Sequence, residues 1–256
     1  MVSFLLIKEA IFLGCLQGFT EFLPVSSSGH LVIAQHFLPA ISSQPVSLVI
    51  VLHLGTLLAL ILYFRKEWKN ILSSPRIIFM IAIASIVTVL LVLPFKSQVE
   101  NSFSNPRLAG LMLMLTGVLL FSASWVKHNK KEMVQGKQAI VVGVFQALSV
   151  LPGISRSGAT ISAGIFSGLK SKTALYFSFL TAIPVIFGAA ALEARKGMGA
   201  IPSHLLLPYG IAFLFSLITG LLAIKWLMQI VSNNQKSLQY FAFYCLLLGL
   251  ITIVFI

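Results

Sequence analysis

The chain has 256 residues, of which 58% are hydrophobic and only 9% charged, with a mean hydropathy of +0.99. A soluble domain carries about 25% charged residues, so this composition excludes an ordinary soluble fold and predicts an all-α polytopic membrane protein. The net charge of +12 does not indicate nucleic acid, because the cations fall mostly in short loops between apolar runs, as the positive-inside rule expects.

The chain has no aspartate, which rules out an aspartyl nucleophile or an Asp metal ligand. The acids are Glu9, Glu21, Glu67, Glu100, Glu132 and Glu193. Cys15 and Cys245 lie in apolar runs and read as free thiols rather than a disulfide. Lys8-Glu9 interrupts the first apolar run and no small-residue cleavage site follows, so the start does not read as a signal peptide.

In chain order, the first apolar segment, 4–38, is broken by Pro24-Val-Ser-Ser-Ser-Gly29. Three clean spans follow, at 46–64, 76–94 and 107–126. A second broken segment, 138–168, carries Leu151-Pro-Gly-Ile-Ser-Arg-Ser-Gly-Ala-Thr160. Three more spans complete the chain, at 173–193, 205–224 and 238–256. Nineteen helical residues reach about 28 Å, close to the hydrocarbon thickness. The halves of each broken segment read as too short to cross alone. Each is therefore expected to be a re-entrant hairpin, with a non-helical tip that protein or a wet cavity must cover.

The broken segments resemble each other at an offset of 129 residues. Lys8 falls on Lys137, Ala10 on Ala139, Ile11 on Ile140, Gly14 on Gly143 and Gln17 on Gln146. Ser26 falls on Ser155, Ser28 on Ser157 and Gly29 on Gly158, while Pro24 and Pro152 miss by one. The chain thus reads as one membrane domain of two halves, 1–126 and 127–256. An odd number of spans separates the hairpins, which makes the repeats inverted, a pattern whose interrupted segments point to the site. On this topology one face holds Arg65, Lys66, Lys69, Arg76, Lys127, Lys130, Lys131, Lys137, Lys170, Lys172, Lys225 and Lys236. The other holds only Lys8, Lys96, Arg107, Arg195 and Lys196. The richer face is expected to be cytoplasmic, with both termini outside.

The remaining cation, Arg156, sits alone in an apolar stretch. An arginine at membrane depth is costly and persists where it lines a polar cavity or holds an anion. Its forked donors suit phosphate. Ser155, Ser157 and Thr160 add hydroxyls, Gly153 and Gly158 let backbone N–H groups approach, and a helix beginning nearby would point its positive end at the anion. In the first hairpin, Gln17 and Glu21 are four apart and face the same way on a helix. They suit either a shared hard cation such as Mg2+ or Ca2+, completed by substrate phosphates, or a hydrogen-bonded pair. Ser26, Ser27 and Ser28 precede His30, which could serve as a base for a serine nucleophile. His36, His53, His128 and His204 lack such company and read as structural or surface residues. One tip offers a nucleophile, a base and a carboxylate, the other a phosphate clamp, which together suit phosphoryl transfer.

Gln17-x-x-x-Glu21, Pro-Val-Ser-Ser-Ser-Gly-His30 and Pro152-Gly-Ile-Ser-Arg-Ser-Gly-Ala-Thr160 resemble the signature segments of bacterial undecaprenyl-diphosphate phosphatases, the bacitracin-resistance family. The resemblance extends over the whole chain. It implies hydrolysis of the C55 isoprenyl diphosphate to the monophosphate and phosphate in the bacterial cytoplasmic membrane, recycling the lipid carrier for peptidoglycan. By the same resemblance Ser27 is the candidate nucleophile, His30 its base or proton partner, Glu21 the essential acid and Arg156 the diphosphate-binding arginine. The assignment among Ser27, His30 and Glu21 stays open, as does a homodimer. The family accepts Glu or Gln at position 17, and Gln here removes one charge from a candidate metal site. A second class of lipid phosphatase shares Ser-Gly-His and Ser-Arg, but its orienting aspartate cannot exist in this chain. The competing reading is a transporter or flippase of a polyprenyl phosphate, to which inverted repeats and a midplane site are also suited.

Overall fold

The computed structural model describes residues 4–37, 45–127, 130–195 and 202–256. Among them the regular structure is helical: α1 (Phe4–Phe22), α2 (Ser27–Phe37), α3 (Pro45–Tyr63), α4 (Trp68–Leu72), α5 (Pro75–Val92), α6 (Lys96–Ser102), α7 (Pro106–Ser124), α8 (Gly136–Leu148), α9 (Arg156–Phe166), α10 (Ser171–Arg195), α11 (Ser203–Asn233) and α12 (Leu238–Phe255). Five helical stretches are long and apolar enough to cross a membrane: Pro75–Ser102, Pro106–Ser124, Ser171–Leu192, Ser203–Asn233 and Gln235–Phe255. Ser47–Tyr63 is a shorter apolar helix. The chain is a multi-pass membrane protein. Its outer surface carries large apolar side chains such as Phe79, Leu90, Leu247 and Val254, each more than half exposed, as a lipid-facing surface requires.

Both broken segments contain a helix, an irregular tip and a second helix. α1 is longer than its sequence suggests: it runs through Lys8-Glu9 for 19 residues, so this half is not too short to cross. α8, with 13 residues, is. The histidine at 128 and the side chain of His36 lie outside what is described.

The tips are shaped by local chemistry. Proline disfavours helical backbone in the residue before it, and α1 stops at Phe22, just ahead of Leu23-Pro24. Gly153 takes φ +96°, a region where a side chain would be strained, and a Cβ there would strike the Ala109 carbonyl of α7. Each tip then restarts a helix on a serine cap. Ser26 Oγ accepts from the Gly29 N–H at 3.2 Å, and Ser155 Oγ accepts from the Gly158 N–H at 3.0 Å. Ser26 itself has φ +70°, the one non-glycine in that region among the described residues.

Several contacts recur 129 residues apart. An ideal Cβ on Gly14 of α1 would sit 2.6 Å from the Ala212 carbonyl of α11, and one on Gly143 of α8 would sit 2.6 Å from the Ala84 carbonyl of α5. Gly29 meets Gly153 across the tips, and Gly158 meets Pro24. Thr116 Oγ1 donates to the Gly153 carbonyl at 2.9 Å, and Cys245 Sγ donates to the Pro24 carbonyl at 3.6 Å. α7 and α12 cross antiparallel, with Gly110 against Gly249 and Gly117 against Ala242 and Leu246. α9 is the innermost element, with nine of its eleven residues buried from Ser157 to Ile165.

Candidate active site

The two tips meet through a buried ion pair. Arg156, the first residue of α9, donates from Nη2 to Glu21 Oε1 at 2.8 Å, with side chains 12% and 7% exposed. Such burial is sustained only where the remaining lone pairs and protons are also engaged. Glu21 meets that condition: its Oε2 accepts from Ser27 Oγ at 2.7 Å and from Gln17 Nε2 at 3.0 Å. Two atoms around it are buried without a partner, Arg156 Nη1 and Gln17 Oε1. An unpaired guanidinium nitrogen in a closed site is costly unless something docks there, and the species that a guanidinium fork recognises is a phosphate or carboxylate.

The tip hydroxyls divide sharply by use. Ser26 caps α2 and lies 3.2 Å from Ser28 Oγ. Ser155 caps α9 and lies 3.1 Å from Ser157 Oγ. Ser157 also donates to the Leu23 carbonyl at 3.1 Å, tying one tip to the other. Thr160 donates back to the Arg156 carbonyl at 2.8 Å and pairs with Ser178 of α10 at 2.6 Å, so its hydroxyl braces α9. Ser27 alone among these directs its hydroxyl onto the carboxylate. It is also the first residue of α2, as Arg156 is of α9, so both stand where a helix N-terminus favours an anion.

His30 is held away from Ser27. Its Nδ1 lies 2.8 Å from the Ser26 carbonyl, which can only accept, so Nδ1 carries the proton. Nε2 therefore accepts, and its partner is the Tyr244 hydroxyl of α12 at 2.6 Å, with the two rings parallel within 5°. The serine hydroxyl is bonded to Glu21 instead.

Among the described residues no three or more His, Cys, Asp or Glu side chains cluster to hold a metal ion. Magnesium needs only one or two protein oxygens when phosphates supply the rest, and the orphaned Gln17 Oε1 beside Glu21 fits that sparser role.

Residues 10–251 match the family described as bacitracin resistance protein BacA. The chain belongs to the BacA family. Relatives named undecaprenyl-diphosphatase include one from Syntrophotalea carbinolica, 39% identical over 94% of this chain and 95% of that protein. Others are from Korarchaeum cryptofilum, 36% identical over 95% and 97%, and Bacteroides fragilis, 37% identical over 96% and 97%.

Two members of this BacA-family site escape the sequence reading. His53, expected to be structural or superficial, brings Nε2 to within 3.8 Å of Glu21 Oε2 from α3. The reason is tertiary: its neighbours in sequence are apolar, and only packing supplies the carboxylate. Tyr244, 214 residues from His30, looks in sequence like any tyrosine in an apolar span. His204 is exposed.

Proposed function

We infer that this chain hydrolyses undecaprenyl diphosphate to undecaprenyl phosphate and inorganic phosphate. The observation that carries this reading is the Ser27–Glu21–Arg156 array: a serine hydroxyl on a carboxylate, the carboxylate on an arginine, and a buried guanidinium nitrogen left over. The relatives' shared name supplies the lipid. Ser27 Oγ attacks the terminal phosphorus while Glu21 Oε2 takes its proton. Arg156 Nη1 and the N-termini of α2 and α9 neutralise charge spreading over the phosphoryl oxygens. The lipid monophosphate leaves, and water then releases phosphate from Ser27. Glu21 therefore has the base role for Ser27. His30, paired with Tyr244, orders the tip from the other side. A divalent cation, Mg2+ or Ca2+, would be held by Gln17 Oε1 and Glu21 together with diphosphate oxygens, and would supply further charge neutralisation.

The architecture that supports this chemistry is six crossing helices and two re-entrant hairpins arranged as inverted repeats, 1–126 and 127–256. The contacts that recur at a 129-residue spacing favour it, and so does the antiparallel α7–α12 crossing, as expected of halves related by a two-fold axis in the membrane plane. On that symmetry Ser27 and Arg156 occupy the same position of the two repeats, so one tip evolved a nucleophile where the other kept a cation. Both tips come from one chain, and the chemistry needs no second copy. The positive-inside asymmetry puts both termini on the outer side of the cytoplasmic membrane. A flippase shares the repeats but has no use for a serine bonded to a buried carboxylate, which favours the enzyme.

The decisive assay is phosphate release from an isoprenyl diphosphate by the purified chain in detergent with Mg2+ or Ca2+. Release is expected, and its absence under both ions overturns the reading. Labelling of a Lys130→Cys variant from the cytoplasmic side only is expected, and labelling from outside overturns the orientation. Tyr244→Phe strands His30 Nε2 without its donor, a loss of roughly 1–3 kcal/mol. It should lower kcat on the order of tenfold, in steady-state phosphate release.

A further inference from the structure

His53 has no task in the scheme above. α3 aims its Nε2 at Glu21 Oε2 from 3.8 Å, and its Nδ1 lies 2.8 Å from the Val49 carbonyl. The carbonyl accepts, so Nδ1 carries the proton and Nε2 presents a lone pair. That lone pair faces the same carboxylate oxygen that bonds Ser27. The His53 side chain is 28% exposed against 7% for Glu21, so the histidine is the one of the two that reaches outward.

The reaction itself creates a need for such a group. Attack by Ser27 on a trianionic lipid diphosphate yields phosphoserine, a lipid monophosphate and one proton. That proton lands on Glu21, whose surroundings, the Arg156 Nη2, Gln17 Nε2 and the spent Ser27 oxygen, include two donors that cannot take it. The other groups packed on α3 do not compete for it. Ser216 of α11 donates to the Leu52 carbonyl, Tyr209 of α11 packs with Leu48 and Leu52, and Tyr176 of α10 meets Phe64 beyond the far end of α3.

We propose that His53 is a proton relay that empties Glu21 between the two half-reactions, a positioning residue that acts through Glu21 and not on the substrate. This rests on the phosphatase reading. In the first half-reaction the Ser27 Oγ–P bond forms as the bridging P–O bond breaks. The lipid phosphate departs with that electron pair, and the Ser27 proton moves to Glu21 Oε2. The proton then moves from Oε2 to His53 Nε2, giving the imidazolium, which passes it to water. The restored carboxylate takes a proton from the water that attacks phosphoserine. The Ser27 oxygen leaves with the P–O electron pair and recovers its proton from Glu21. One proton is released per turnover, and the enzyme returns to its starting state.

The test uses the full chain in detergent with an isoprenyl diphosphate, following phosphate release. His53→Gln keeps a polar side chain that cannot carry a proton. Its kcat is expected to fall about a hundredfold, within the range of general acid–base contributions, with KM within twofold of wild type and the acid limb of the kcat–pH profile flattened. His53→Ala should show the same loss and recover severalfold with added imidazole. A His53→Gln enzyme with wild-type kcat and an unchanged acid limb overturns the relay, and so does a His53→Ala loss that imidazole does not restore. If the wild type releases no phosphate, it is the phosphatase reading that fails. An active wild type with an indifferent His53 sinks the relay alone.

Discussion

Ser27→Ala is expected to lower kcat for phosphate release by about 10³-fold or more, in line with the loss of an activated nucleophile in other hydrolases. The chain should still fold. The Ser27 hydroxyl bonds Glu21, and without it that carboxylate keeps Arg156 and Gln17. Neighbouring serines predict the opposite pattern. Ser155→Ala removes the α9 cap, a loss of about 1 kcal/mol, and should lower the melting temperature more than it lowers the chemistry at saturating substrate. Ser157→Ala cuts the bond to the Leu23 carbonyl that ties the tips together, and should behave likewise. Phosphate release and thermal unfolding, measured on the same detergent preparations, separate the two classes. Ser27→Ala with more than a tenth of wild-type activity would remove the nucleophile assignment.

The sequence makes the ends of this contrast legible but not its middle. Apolar runs locate the helices, and Pro24, Pro152 and the adjoining Ser and Gly residues locate the tips, because backbone that cannot stay helical must be punctuated. Ser26 with Gly29, and Ser155 with Gly158, have the three-residue spacing of an N-cap serine and the N–H it accepts. That spacing could have marked both as caps and left Ser27 as the free hydroxyl. Nothing local distinguishes Tyr244 from a tyrosine facing lipid, since its partner His30 is 214 residues away. His53 carried a usable signal: a histidine in the middle of an apolar span is a polar group at depth, which calls for a named partner. The length of α1 was misjudged because Lys8-Glu9 breaks the apolar pattern without breaking the helix.

Arg156→Ala should remove activity and destabilise the fold together. The variant loses its anion grip, and a drop in kcat/KM of about 10³-fold is expected from the loss of one charged, preorganised donor set. It also leaves Glu21 ionised, 7% exposed and without its cation, and breaking a buried pair from one side costs about 3–5 kcal/mol. Glu21→Gln should cost a similar amount from the other side, by leaving the guanidinium unpaired. The combination Glu21→Gln with Arg156→Met removes both charges and keeps most of the volume, so its stability should return toward wild type while activity stays absent. The sum of the single effects would then exceed the double effect by roughly 2–3 kcal/mol, the scale on which directly bonded residues couple. Thermal unfolding of the four proteins in one detergent measures that coupling, and phosphate release measures the chemistry. Additive destabilisation would mean that the tips are held by Ser157, Leu23 and the Gly29–Gly153 contact without help from the ion pair. Activity in any of the three variants above a tenth of wild type would detach Arg156 from the diphosphate. With coupling and inactivity together, the ion pair is both what joins the two hairpins and what the substrate finds when it arrives: the Nη2 arm stays on Glu21 while the unpaired Nη1 arm takes the phosphate.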